Sequence, residues 1–209
     1  MASTAALQAE DRGFESLPGH QFFKKGETNN VSKSRVSRFL SYVLRHKPEK
    51  IGLTLDENGW ASVSELLNKL ETKEGKLTME QLKEVVETNN KQRFAFNEDE
   101  TKIRANQGHS IDVDLNLTPH MPPDILYHGT AMKNVGLIIR DGINKGSRQF
   151  VHLSTTRETA EDVGARHGTP YVISIAARLM CVEGRYSFYL SENGVWMTEH
   201  VPAKYLINL

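Results

Sequence analysis

The sequence predicts an α+β chain in two parts: helices gathered in the first half, short strands with intervening helices in the second. Three observations predict it. Apolar residues recur at helical spacing in three segments between Ser34 and Val86. Clusters of β-branched and aromatic residues dominate after Asp124. Between the two halves, Pro119, Pro122 and Pro123 break both patterns within five residues, which favours an extended connector and a domain boundary there.

The helical half begins after a stretch with no sustained period. Residues 1–30 are mixed and polar and read as a flexible tail. From Ser34 to Arg45, the residues Val36, Phe39, Leu40, Val43 and Leu44 form one apolar stripe, and Pro48 and Gly52 stop the helix, so Arg45 and His46 stand at its C-terminal end. Ser62 with Glu65 reads as a capping box opening a helix through Leu66, Leu67 and Leu70; Thr78 with Gln81 reads as another, opening a helix through Leu82, Val85 and Val86. Arg93–Phe96 and Lys102–Arg104 then read as a hairpin around the acidic turn 97–101. Three helices and a hairpin describe a winged-helix-like lobe over residues 31–118, a fold that often binds nucleic acid and often does not.

In the second lobe, residues 119–209, strands are expected at Ile125–Tyr127, Phe150–Leu153, Tyr171–Ile175 and Val195–Met197. Helices are expected at Met132–Arg140, closed by Gly142, and at Arg157–Ala165. Strand and helix do not alternate regularly, and neither GxGxxG nor GxxxxGK occurs, so a nucleotide bound here would not use those phosphate loops.

Composition narrows the function. A chain of 209 residues, 38% hydrophobic and 25% charged, suits one or two globular domains rather than a disordered segment. Cys181 is the single cysteine and cannot form an internal disulfide. CxxC and HExxH spacings are absent and the eight histidines are scattered, so no metal is expected. No apolar run is long enough for a bilayer and no signal-peptide core follows Met1, so a cytoplasmic protein, or a nuclear one if the host has a nucleus, is expected, without membrane partners; a monomer is expected as well. Net charge is zero, yet Val31–Lys50 holds six Lys/Arg against one acid, Glu49. Such a patch on a neutral chain suits a small positioned anion better than a long duplex; a solvated helix face is the ordinary alternative.

Five places could carry chemistry, each with an ordinary structural alternative. Arg45, His46 and Lys47 could hold an anion or offset the helix dipole, a contribution of about 0.3–1 kcal/mol. Arg93, opening a short strand, and Arg104 are candidates too, or are solvated hairpin arginines. In Tyr127–Thr130, His128 could bind a sugar hydroxyl while Gly129 lets a ligand approach the backbone. In Arg148–Ser154, His152 lies inside an apolar strand and is either a site residue or a core histidine with its partner supplied. Gly164, Arg166 and His167 end a helix between glycines and could bind phosphate or cap that helix.

Taken in order, these segments resemble the RNA 2′-phosphotransferase family, the tRNA 2′-phosphotransferases. The resemblance runs from about Ser32 to Leu209 through Phe39–His46, Gly59–Trp60, Lys91–Phe94, Ile103–Ser110, Leu126–Thr130, Val151–Ser154, Val163–Gly168 and Glu192–Thr198. It implies a winged-helix-like RNA lobe joined to an ADP-ribosyltransferase-like NAD lobe. It also implies a reaction that moves an internal RNA 2′-phosphate, of the tRNA splice-junction type, onto NAD, consumed as a co-substrate. The products would be RNA with a free 2′-hydroxyl, nicotinamide and ADP-ribose 1″,2″-cyclic phosphate, formed through an ADP-ribosylated RNA intermediate.

By the same resemblance, Arg45, His46, Arg93 and Arg148 hold the phosphate, a dianion that guanidinium groups grip two oxygens at a time. His128, His152 and Val195 line the NAD site; Gly129, Thr130 and Ser154 complete its nicotinamide side, and Gly164, Arg166 and His167 its adenosine diphosphate side. Relatives that modify proteins usually carry Glu where Val195 stands. A weak neutral acceptor needs a carboxylate to activate it, whereas a phosphate would be repelled by one, so Val195 argues against protein ADP-ribosylation. Two alternatives stay open: an ADP-ribosyltransferase that stops after the first step, capping terminal phosphates or modifying protein, and a non-catalytic winged-helix nucleic-acid binder.

Overall fold

Residues 33–72 and 75–207 are described by the structure, a computed structural model; the expected tail at 1–30 lies outside them. The chain divides between Leu115 and Asn116 into two compact units, each with its own apolar core.

In the first unit, helix α1 (Lys33–Arg45) forms on the expected stripe and buries Val36, Phe39, Leu40, Val43 and Leu44. A 3₁₀ turn at Pro48–Ile51 follows, ended by Gly52. Strand β1 (Ala61–Ser62) leads into α2 (Val63–Lys69). A short strand pair, β2 (Glu71–Thr72) and β3 (Gly75–Lys76), precedes α3 (Met79–Glu87). The expected hairpin forms as β4 (Phe94–Phe96) and β5 (Lys102–Ala105), with Phe96 opposite Ile103 and Phe94 opposite Ala105. β1 adds to the far side of β5, giving an antiparallel sheet in the order β1-β5-β4. Ile103 lies fully buried at its centre beside Leu40, Leu44, Leu66 and Leu82.

The two capping expectations fare differently. Thr78 and Gln81 make both hydrogen bonds of a capping box. Ser62 accepts from the Glu65 amide, but the Glu65 carboxylate turns away to accept from the Thr54 amide at 3.3 Å and to pair with Lys69 at 2.8 Å. That box is therefore half formed, because a lysine one turn on competes for the carboxylate.

The second unit is built from antiparallel pairs. Strand β6 (Ile125–Ala131) runs its whole length against β9 (Pro170–Ala176), with β13 (Leu206–Ile207) on the other side of β9. A second sheet places β11 (Trp196–Thr198) between β8 (Val151–Leu153) and β10 (Tyr189–Leu190). Tyr127 and Ser154 exchange backbone hydrogen bonds at 2.9 and 2.8 Å, which brings β8 alongside β6. β7 (Ile143–Asn144) pairs with β12 (His200–Val201).

The helix expected from Met132 starts with a 3₁₀ turn, Met132–Asn134, before α4 (Val135–Asp141) closes at Gly142. The helix expected from Arg157 is α5 (Arg157–Gly164), capped by Thr156 and followed by a 3₁₀ turn at Ala165–His167. α6 (Ala177–Val182) was not anticipated: six residues are too short to declare a period. Leu126, Leu153, Ile173, Ile175, Met180 and Phe188 form the heart of this core. The α+β class expected from the sequence is what the fold shows.

Candidate functional site

The expected residues fall in both units. In the first, Arg45 ends α1 and His46 follows it. The terminal carbonyls of a helix need outside donors. Here Tyr42 accepts from the His46 and Lys47 amides, and Arg45 accepts from the Ser110 amide at 3.0 Å. The Ser110 hydroxyl lies 2.9 Å from His46 Nδ1. Between these contacts the backbone of Gly108 lies against the Arg45 side chain: a β-carbon there would sit 3.5 Å from Nη1. Its φ of +91° is a conformation glycine adopts without strain. The loop Asn106–Ser110 thus contacts both residues at the helix end.

His109 anchors that loop. It is 1% exposed, and neither ring nitrogen has a hydrogen-bond partner among the described residues. Burial, reinforced by the charges of Arg45, His46 and Arg104, pushes its pKa down to about 3. It is therefore a neutral ring at working pH.

Arg93 precedes β4 and is tied back to α1. Its Nη1 donates to Asn89 Oδ1 at 3.3 Å, and Asn89 Nδ2 donates to Ser37 Oγ at 2.8 Å. Arg104, on β5, lies 4.5 Å from the centre of the Trp60 ring, a cation–π contact. Neither is the freely solvated hairpin arginine that the sequence left open: both are partly buried. Elsewhere the basic segment behaves as a surface face, with Lys33 paired to Glu84 at 2.6 Å and Lys47 to Glu49 at 3.7 Å.

In the second unit the cluster gathers where β6 meets β8. His128 Nδ1 lies 3.1 Å from the His152 carbonyl oxygen. A carbonyl only accepts, so Nδ1 carries the hydrogen and Nε2 of the neutral ring is an acceptor. Burial is the main force pushing the His128 pKa down; the Arg148 and His167 charges add to it, and the bond to His152 opposes it. The Arg148 charge thus acts on His128. Arg148 is partly buried in the turn before β8, where its amide donates to the Lys145 carbonyl at 3.2 Å. His152 alternates with buried Val151 and Leu153, which puts its half-buried side chain on the face of β8 away from theirs.

Several expected contacts acquire a different physical basis. A β-carbon on Gly129 would lie 1.7 Å from the Ala160 carbonyl oxygen, and one on Gly164 would lie 2.7 Å from the Thr130 carbonyl oxygen. These glycines let α5 press against β6. The space beside Gly129 is filled by protein backbone rather than open to a ligand, which corrects the reason given for it above. Thr130 is buried, and its hydroxyl accepts from Asn134 Nδ2 at 3.2 Å. Ser154 holds the junction of β6 and β8 through its backbone. Val195 lies just ahead of β11 instead of inside it, because Ser191 closes a turn on it: the Val195 amide donates to Ser191 Oγ and the Ser191 amide to the Val195 carbonyl, both at 3.0 Å. Arg166 and His167 are exposed in the 3₁₀ turn after α5.

Among the described residues, no group of three His, Cys, Asp or Glu could hold a metal ion, and no helix is long and apolar enough to cross a membrane. Sequence reasoning passed over Ser110, His109, Asn89 and Ser37. Ser110 and His109 stood inside a quoted motif without a role; for Ser37 and Asn89, 52 residues apart, no local pattern signals the bond.

The family described as RNA 2′-phosphotransferase, Tpt1 / KptA, matches residues 31–200. The chain belongs to this family. A Flavobacterium johnsoniae protein named "Probable RNA 2'-phosphotransferase" is 55% identical over 177 residues, spanning 85% of this chain and 96% of its own length. Proteins of the same name from Acaryochloris marina and Trichormus variabilis are 52% and 50% identical, over 83% and 82% of this chain and 96% and 94% of theirs. The match takes in both units. Every residue discussed in the two clusters falls within residues 31–200.

Proposed function

We propose that this RNA 2′-phosphotransferase uses NAD as phosphate acceptor, removing an internal 2′-phosphate of the kind left at a tRNA splice junction. The first unit is read as a winged-helix-like RNA lobe and the second as an ADP-ribosyltransferase-like NAD lobe. The protein is read as a monomer acting in the cytoplasm or nucleus. In the first step, a 2′-phosphate oxygen bonds to the anomeric carbon of the nicotinamide ribose as the bond to nicotinamide breaks, and nicotinamide leaves neutral. In the second, the ribose 2″-oxygen bonds to phosphorus and releases its proton to solvent. The bond to the RNA 2′-oxygen breaks, and that oxygen takes a proton from His46. Arg45, Arg93 and Arg148 are assigned to the charge that builds on the phosphoryl oxygens.

One observation carries the NAD half of this reading: in the second unit a histidine is held neutral with Nε2 as acceptor, by burial and a bond from Nδ1 to the His152 carbonyl, within the electrostatic reach of Arg148. A neutral imidazole acceptor suits a ribose hydroxyl, and the Arg148 cation suits a phosphate attacking that same ribose. The residues present therefore fit the dinucleotide. Val195, apolar where a carboxylate would repel the phosphate, agrees with them.

The test is a short synthetic RNA bearing an internal 2′-phosphate, incubated with and without NAD while phosphate and nicotinamide are followed. Loss of phosphate only with NAD, matched by released nicotinamide, is expected. RNA that keeps its phosphate at every NAD concentration overturns the reading. Nicotinamide release with ADP-ribosylated RNA as the final product would favour the one-step transferase, and RNA binding without either product would favour a non-catalytic binder.

A further inference from the structure

Ser110 belongs to neither the expected phosphate set nor the expected NAD set, yet it contacts both residues at the end of α1. Its amide donates to the Arg45 carbonyl at 3.0 Å, which fixes its place relative to the helix end. Its hydroxyl meets His46 Nδ1 at 2.9 Å. Its neighbours hold the loop: Gly108 lies against the Arg45 side chain and His109 is buried. The hydroxyl therefore sits on an anchored backbone, although Ser110 itself is exposed.

We propose that Ser110 is a positioning residue that holds the His46 ring through Nδ1 so that the proton delivered to the RNA 2′-oxygen leaves from Nε2. This rests on the proposed reaction. In the imidazolium, Nδ1–H donates to Ser110 Oγ. When Nε2 gives up its proton as the bond from phosphorus to the RNA 2′-oxygen breaks, the ring becomes the neutral Nδ1–H tautomer, and the same hydrogen bond persists. The contact is thus compatible with His46 before and after transfer, and one ring orientation serves both. Without it Nδ1 loses this anchor, and the ring presents Nε2 less selectively. Serine suits the task because its oxygen is neutral: a carboxylate in its place would favour the charged ring and make it a weaker acid.

The experiment first establishes the reaction with the wild-type protein; absence of NAD-dependent phosphate loss there tells against the proposed function and not against Ser110 in particular. Given an active wild type, Ser110→Ala, Ser110→Thr and wild type are compared in single turnover, following nicotinamide release for the first step and conversion of ADP-ribosylated RNA for the second. General-acid contributions of about 100- to 10,000-fold set the scale. Losing orientation while keeping the acid is expected to slow the second step of Ser110→Ala by roughly ten-fold or more, so that ADP-ribosylated RNA accumulates while nicotinamide release stays near the wild-type rate. Ser110→Thr, which keeps the hydroxyl, is expected to restore the second step. The alanine retains the amide that donates to Arg45, so the loop keeps its backbone bond. Equal slowing of both steps, an unchanged second step in Ser110→Ala, or a threonine variant as slow as the alanine each overturns the assignment.

Discussion

Asn89 joins three groups through one amide. Its Oδ1 accepts from Arg93 Nη1 and from the Lys91 amide, and its Nδ2 donates to Ser37 Oγ. At 8% exposure the side chain has little access to water, so its removal leaves buried polar atoms without their partner. Asn89→Ala is expected to cost about 1–3 kcal/mol in chemical denaturation and to weaken turnover through Arg93. Asn89→Asp keeps the acceptor and is expected to retain more of that turnover. A fully stable and fully active alanine variant would show that the link does nothing. His109 offers a second test, by pH. Its folded pKa of about 3 lies below the ordinary histidine value of 6.5, so between those values the unfolded chain binds a proton that the folded chain refuses. Stability is then complete above pH 6.5 and falls as pH drops towards 3, by at most about 1.4 kcal/mol per pH unit. His109→Asn, measured by urea unfolding from pH 7 to 4, is expected to show a shallower fall than wild type; parallel curves would remove His109 as the cause.

The crossing of α5 over β6 shows what governs the elements. A β-carbon at Gly129 would occupy the place of the Ala160 carbonyl oxygen, whereas one at Gly136, within α4, would meet nothing within 4 Å. Gly129→Ala is therefore expected to destabilise by about 1–3 kcal/mol or more, because the helix must move off the strand. Gly136→Ala is expected to stabilise by about 0.5–1 kcal/mol by favouring the helix. Paired melting curves check both, and shifts of the same sign would refute this account. The contrast also marks what a linear reading can reach. The stripe of α1, the Thr78 capping box and the strands β6 and β9 were legible because their signals repeat within a few residues. Two-residue strands such as β1, β7 and β12 carry no period and form because a partner strand is already there. Gly129 was legible as a glycine but not as a helix seat, since Ala160, the helix residue it faces, comes 31 positions later. The site follows the same rule: Arg45 and His46 stood out at a helix end, whereas the bond from Ser110 to His46 spans 64 positions and has no local signature.

At the scale of the whole molecule, charge separates an enzyme for one phosphate from a general RNA coat. The net charge is zero, and the cations assigned to RNA are few. Counterion release then predicts a shallow salt dependence: with one or two phosphates neutralised on a single strand, log K should fall against log salt with a slope of about −0.7 to −1.4. Filter binding or anisotropy on a catalytically slowed variant checks this; a slope near zero would argue against phosphate-led recognition, and a much steeper one would call for an extended track of contacts. Both units also keep a histidine uncharged, His109 in the first and His128 in the second. For His128 the group that dictates which nitrogen bears the hydrogen is the peptide oxygen of position 152. No exchange of side chain at 152 deletes that oxygen. An evolving lineage could therefore vary residue 152 and alter what it touches while the acceptor character of its neighbour is inherited unchanged, for as long as the two strands stay paired.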